Sequence, residues 1–162
     1  YIYGSAEAIG LLCLQIFLAE EDVSPADRAA MERGARALGS AFQKINFLRD
    51  LSEDSSTLGR TYFQQVQSGR IDETSKSALI AEIRRELATA ALTIDLLPAS
   101  ARVGVSAAAD IFAELTNRLA ATPATALATT RVSVPNHTKA WLAARAVRRR
   151  GHSSQTSATA EN

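Results

Sequence analysis

Gln43, Asn46, Asp50 and Asp54 follow one another at intervals of three, four and four residues. On a helix of about 3.6 residues per turn, those intervals stack all four side chains along one stripe. Two acids one turn apart repel each other weakly on an exposed helix. In an apolar cavity the cost is far higher unless a cation is present. Phe42, Ile45, Leu48 and Leu51 lie around the stripe, so the helix that carries the acids also has much to bury. Hard oxygen donors of this kind, two carboxylates with amides nearby, suit Mg²⁺, which keeps several waters and commonly bridges to phosphate.

The plain alternative is that Asp50, Glu53 and Asp54 form a solvated acidic helix end, as many DxxxD pairs do. A solvated end, however, has no need of Gln43 and Asn46 in the same row, nor of Arg49 beside the acids. It does not call for Arg60 and Tyr62 after the short polar turn SSTLG either. The acids also stand at the C-terminal end of their helix, where the dipole is negative. A bound cation explains that placement better than fold stability does.

The elements that must position this stripe read as helices throughout. Residues 1–20 repeat apolar side chains at three and four, with Ile2, Ala6, Ile9, Leu12, Cys13 and Ile16 on one face, which predicts a mostly buried helix. Glu7 interrupts it, as an edge carboxylate meeting an arginine or as a change in a pocket wall. Ser24 caps the next helix with Pro25 at its first position, and that helix runs through Met31, Ala35, Leu38, Phe42 and Ile45 to the aspartates. Asp72 or Thr74 caps a third, over 75–97, with Leu79, Ile83, Leu87, Ala91 and Ile94 inward and Glu82, Arg84, Arg85 and Glu86 solvated; Pro98 ends it. A fourth covers 101–121 with Val105, Ala109, Phe112, Leu115 and Leu119 on its core face and Asp110 and Glu114 as surface acids. Residues 122–135 form a Thr/Ala/Pro-rich connector. A last helix over 138–149 carries Trp141 and a basic end, and 151–162 reads as a disordered tail.

Composition agrees. The chain has 162 residues, 46% hydrophobic but only 6% aromatic, with four prolines and eight glycines, which favours an alanine- and leucine-rich helical core. A net charge of +1 argues against nucleic acid as a partner. The single Cys13 forms no internal disulfide, so a reducing cytoplasm is the expected setting. The longest apolar stretch, residues 8–19, is interrupted by Gln15 and is too short to span a bilayer. Arg145 and Arg148 to Arg150 make the last helix end basic; it is either a solvated end or a peripheral contact with anionic lipid.

The segment 38–62 resembles the second aspartate-rich signature of the squalene and phytoene synthase family, LGxxxQxxNxxRDxxxD followed by RxYxP. Leu38, Gly39, Gln43, Asn46, Arg49, Asp50, Asp54, Arg60 and Tyr62 match it, and Gln64 replaces the usual proline. YIYGSAEAIG resembles the family's YCxxVAGxVG, with Tyr1, Ala6 and Gly10 fitting and Ile2 and Glu7 departing. The resemblance implies an all-α, antiparallel helical bundle of the isoprenoid-synthase type, with residues 1–150 as its C-terminal part. It implies head-to-head condensation of two prenyl diphosphates, closest to a bacterial phytoene synthase acting on geranylgeranyl diphosphate through a cyclopropyl diphosphate intermediate. The alternatives are a squalene- or dehydrosqualene-type enzyme using farnesyl diphosphate, or a truncated, non-catalytic helical remnant.

Asn46, Asp50 and Asp54 would then hold Mg²⁺, with Mn²⁺ as a substitute. Gln43, Asn46, Arg49 and Arg60 would bind substrate. Tyr1, Arg49, Arg60 and Tyr62 would serve the chemistry. The family's first DxxxD is not in this sequence, and the chain opens on tyrosine. The expectation is therefore half a metal site on a chain that is inactive alone.

Overall fold

The computed structural model describes the backbone of residues 2–51 and 71–158, with side chains at 4–51 and 71–149. Among the described residues six helices appear in order: α1 (Ile2–Phe17), α2 (Pro25–Asp50), α3 (Glu73–Ile94), α4 (Ala99–Ala121), α5 (Ala124–Leu127) and α6 (Asn136–Ala158). Among the described residues there is no strand, as the all-α reading expects. Local chemistry sets the boundaries. The Ser24 hydroxyl accepts from the Asp27 amide at 3.1 Å, and the Asp72 carboxylate accepts from the Ser75 amide at 2.7 Å. Each satisfies an amide that the first helical turn leaves without a partner. Pro98 separates α3 from α4, and Pro123 opens the single turn of α5, which lies inside the stretch read as a connector. The backbone of α6 starts at Asn136 and runs on to Ala158, into the segment read as tail.

The first four helices run antiparallel to their neighbours in sequence. Gly10 of α1 abuts Ala35 of α2 while Gly39 abuts Ala6, so one helix ascends as the other descends. Between α2 and α3, Gly34 meets Thr93, Ser40 meets Glu86 and Lys44 meets Glu82. At the far end of the bundle the buried Lys76 ammonium of α3 takes the Thr122 carbonyl at 2.6 Å and the Ala120 carbonyl at 3.3 Å. It thereby caps α4, whose C-terminal dipole favours a cation there. Glu73 completes the corner by accepting the Ala124 amide at 2.9 Å.

Two apolar clusters form the interior. The larger joins Ala41, Ile45 and Leu48 of α2 to Leu79, Ile80 and Ile83 of α3 and to Leu115 and Leu119 of α4. The smaller gathers Leu14, Leu18, Met31 and Leu97. The inward faces differ in detail from the helical periodicity: Ala90 is buried where Ala91 was expected, and Leu38 and Phe42 are only half-buried. The larger correction concerns α1. Ile9, Leu12 and Ile16 are 62%, 57% and 73% exposed, so this helix is not mostly buried. Among the described residues its main partner is α2, and one partner covers one face.

The α1–α2 contact is backbone on backbone. A β-carbon added to Gly39 would lie 2.3 Å from the Ala6 carbonyl oxygen, and one added to Gly10 would lie 2.3 Å from that of Ala35. Helix backbone cannot yield as a flexible side chain can, so the two helices would have to part. Gly39→Ala should therefore cost about 1–3 kcal/mol. Gly104→Ala, where nothing lies within 4 Å, should gain up to about 1 kcal/mol from helix propensity. Urea unfolding of the two variants checks the contrast, and equal effects would contradict the close approach.

Candidate functional site

α2 presents different chemistry on its two sides. At 100° per residue, Gly39, Phe42, Gln43, Asn46 and Asp50 fall on one side, while Ser40, Ala41, Lys44 and Leu48 fall on the other. The first side forms a wall of a cavity of about 550 Å³. Ala6, Ile9, Gly10 and Leu14 of α1 line it opposite Met31, Leu38 and Phe42 of α2. Ile94, Leu97, Ala101 and Val105 close it from α3, α4 and the turn between them. Phe42 is stacked on Phe112 of α4 with ring centroids 3.8 Å apart, which fixes the wall at that point. The lining is mostly apolar, with the amides Gln43 and Asn46 toward the C-terminal end of α2 and Met31 fifteen residues away. Fifteen residues of helix make a wall about 22 Å long.

Asn46 is the polar group that this setting leaves unsatisfied. Its Oδ1 is buried and accepts no hydrogen bond among the described residues. An amide oxygen desolvated without a donor is unfavourable by itself. It is also a hard donor of the type that suits Mg²⁺. One turn further along lies Asp50, whose Oδ1 accepts from Arg49 Nε at 2.8 Å and whose Oδ2 accepts from Arg49 Nη2 at 2.7 Å. Arg131, from the connector before α6, approaches Oδ1 at 3.3 Å. The Arg49 hydrogen bonds, helped by the Arg131 charge, outweigh partial burial and hold the Asp50 carboxyl below the usual carboxylate range. Asp50 is thus ionised and ready to act as a ligand or a counter-charge.

The cation that Asp50 meets here is guanidinium, so helix-end placement alone does not demand a metal. No group of three or more His, Cys, Asp or Glu side chains able to hold a metal occurs among the described residues. The donor types of Asn46 and Asp50 nevertheless fit a hard cation, provided that Asp50 exchanges an arginine for it. Of the other expected site residues, Gln43 is exposed at the cavity edge and Arg49 sits on Asp50. Tyr1, Asp54, Arg60 and Tyr62 lie outside the described residues.

The other side of α2 holds a group that the periodicity did not reveal. Lys44 is 2% exposed, and its ammonium donates to Glu82 at 2.6 Å and also to Glu86, which in turn accepts from Ser40 at 2.9 Å. Glu82 and Glu86 are therefore not the solvated residues that their charge suggested. Burial by itself lowers the Lys44 pKa, but the hydrogen bonds and charges of the two glutamates outweigh it and raise the value above the ordinary lysine range. The signal in the sequence was a lysine set among Phe42, Ile45 and Leu48. Its partners are 38 and 42 residues away. Asp110 is a similar correction, half-buried and paired with Arg145 at 2.9 Å. Glu7 does meet an arginine, Arg36, at 3.5 Å.

The pattern of the family described as squalene/phytoene synthase matches residues 1–138. The bifunctional lycopene cyclase/phytoene synthase of Blakeslea trispora is 29% identical over 127 residues, 68% of this chain and 21% of that protein. The chloroplastic phytoene synthase 3 of Zea mays is 43% identical over 68 residues, 40% of this chain and 15% of that protein. The chain thus spans about a fifth or less of the length of these curated relatives. No solved structure matches it.

Removing the buried ammonium should expose the role of the clasp. Lys44→Met leaves two partly exposed carboxylates at the α2–α3 seam and should cost about 1–3 kcal/mol, part of which Glu86→Gln in the same chain should restore. A raised lysine pKa stabilises the fold fully below the ordinary lysine value, and that contribution disappears as pH rises through the raised value. The gap between wild type and Lys44→Met should therefore persist at neutral pH and narrow only in strong alkali. Urea unfolding across that range is the check, and a gap that closes near neutrality would contradict the pairing.

Proposed function

The chain belongs to the squalene/phytoene synthase family, and from that premise we propose that it is the C-terminal part of a phytoene synthase. The reaction is the head-to-head condensation of two geranylgeranyl diphosphates to phytoene through a cyclopropyl diphosphate intermediate. The observation that carries this reading is the long apolar cavity whose polar end holds the unpartnered Asn46 carbonyl, one turn from the ionised Asp50. An apolar wall about 22 Å long favours a long isoprenoid tail over a small polar substrate. The names of both relatives, each a phytoene synthase, support the carotenoid branch over the squalene branch.

Each residue has a part in this proposal. Asn46 and Asp50, with Asp54, would hold Mg²⁺; bound there, the ion neutralises diphosphate charge and improves it as a leaving group. Gln43 orients the diphosphate at the cavity edge. Arg49 keeps Asp50 ionised and offers a guanidinium fork to a phosphate oxygen when the carboxylate turns elsewhere. Arg131 sits on the same carboxylate and can serve likewise. The apolar lining would disfavour water beside the allylic cation formed as diphosphate departs. Arg60, Tyr62 and Tyr1 complete the set by motif position, engaging the diphosphate or the intermediate. No helix among the described residues is long and apolar enough to cross a membrane.

Asp50→Asn in the full-length protein should abolish most turnover of geranylgeranyl diphosphate at saturating Mg²⁺ while the helical circular dichroism is retained. Asn46→Ala should lower turnover by about a hundredfold, the loss of a hydrogen bond or ligand to a charged partner. Product chromatography with C15 and C20 diphosphates reads both variants and the chain-length preference together. Unchanged turnover in Asp50→Asn would remove it from the metal site, and squalene-type products from the C15 substrate alone would move the protein to the other branch.

A further inference from the structure

A second cavity, of about 410 Å³, lies between α3, α4 and α6. Helix α4 separates it from the first. Ala101, Gly104 and Val105 line the first cavity, while Arg102, Val103 and Ala109, on the opposite side of the same helix, line the second. Ile94 of α3 borders both. The volume is that of a small-molecule site. Ala91 of α3, Ala109 and Ala113 of α4 and Ala146 of α6 put methyl groups on its walls, so the three helices leave a slot between them. Leu87 and Val103 add apolar surface.

Arg102, Arg149, Asp95 and Asp110 supply the charge of this lining. Arg102 is half-buried and donates to the Leu97 carbonyl from Nε at 3.1 Å and from Nη2 at 2.8 Å. Those bonds fix the guanidinium and use two of its five N–H groups, which leaves three for a ligand. Asp110 is already matched, its Oδ2 lying 2.9 Å from Arg145 and 3.5 Å from Arg149. Asp95 is exposed. Three guanidiniums against two carboxylates leave the slot with one surplus positive charge.

We propose that this second cavity binds a small organic monoanion: a flat apolar ring system bearing one carboxylate, with the rings between the alanine walls and the carboxylate on Arg102. A planar guanidinium matches a carboxylate with paired N–H donors. A single surplus charge favours a singly charged head over a phosphate, which carries nearly two. The apolar walls favour a ring body over a small, fully hydrated anion. Arg102 is held by Leu97 before any ligand arrives, so little has to be ordered on binding. The inference is independent of the reaction assigned to the first cavity.

Titration of the full-length protein with 2-naphthoate, followed by methyl resonances, tests the site, with 2-naphthalenemethanol as the uncharged counterpart. Saturable shifts at Leu87, Ile94 and Val103 are expected while Leu14, Leu38 and Met31 stay in place, and the alcohol should bind at least about tenfold more weakly. Arg102→Met should weaken naphthoate about tenfold to a hundredfold, the loss of a hydrogen bond to a charged partner, and leave the alcohol unaffected. Arg102 also holds the Leu97 carbonyl, so Arg149→Gln, at a largely exposed side chain, gives a second reading. It should weaken naphthoate about threefold through charge alone. Absence of saturable binding overturns the proposal. So do shifts confined to the first cavity, equal affinity for acid and alcohol, or naphthoate binding that both substitutions leave intact. Tighter binding of 2-naphthyl phosphate than of naphthoate would overturn the singly charged head.

Discussion

The buried ammonium of Lys44, held between Glu82 and Glu86, is the interaction on which the arrangement of this protein depends. Placing a lysine at 2% exposure between two helices is unfavourable unless its charge and all its donors find partners. The rotation of α2 against α3 brings Glu82 and Glu86 to the ammonium, while Ser40 of α2 donates to the same Glu86 carboxylate. A purely apolar seam would pack about as stably in several registers. The charged group makes one of them far better than the rest. Because the cavity face of α2 lies on the other side of the same helix, fixing the Lys44 side also sets where Gln43, Asn46 and Asp50 point.

The α1–α2 contact acts in the same direction by a different means. Gly10 and Gly39 let the backbones touch near Ala35 and Ala6, so α1 forms a cavity wall at short range without filling the space with side chains. α2 is thus clamped electrostatically on one side and sterically on the other. Its last turn is left with an acid, Asp50, and the neighbouring Arg49 and Arg131 balance that charge. A site built this way has its carboxylate ionised and its amide oxygen desolvated before any ligand arrives. In the proposed reading a metal–diphosphate group would meet both groups already placed, with Asp50 exchanging an arginine for the cation.

Much of this was legible in the residues themselves, and the reasons are local. Ser24 with Pro25, Asp72 and Pro98 announced helix ends by chemistry that acts within three or four residues. The apolar spacing of 75–97 announced an amphipathic helix, and the stripe from Gln43 to Asp50 announced one chemical face. Partners distant in sequence were not legible. Glu82 and Glu86 look solvated until Lys44 is set against them, and Asp110 looks like a surface acid until α6 brings Arg145 and Arg149 to it. The apolar face of α1 looked buried because periodicity shows that a face exists, not what covers it. The turn of α5 escaped notice because four residues after a proline carry too little pattern.

The central claim is that the Asn46–Asp50 end of the cavity receives a diphosphate with Mg²⁺ while the apolar wall receives its tail. Side-chain amide and methyl resonances followed during a titration with geranylgeranyl diphosphate test this without requiring turnover. With Mg²⁺ present, the Asn46 and Gln43 amides and the methyls of Leu14, Met31 and Leu97 should shift together, and without Mg²⁺ the amide shifts should largely vanish. Shifts that bypass Asn46, or that are the same with and without Mg²⁺, would contradict the account.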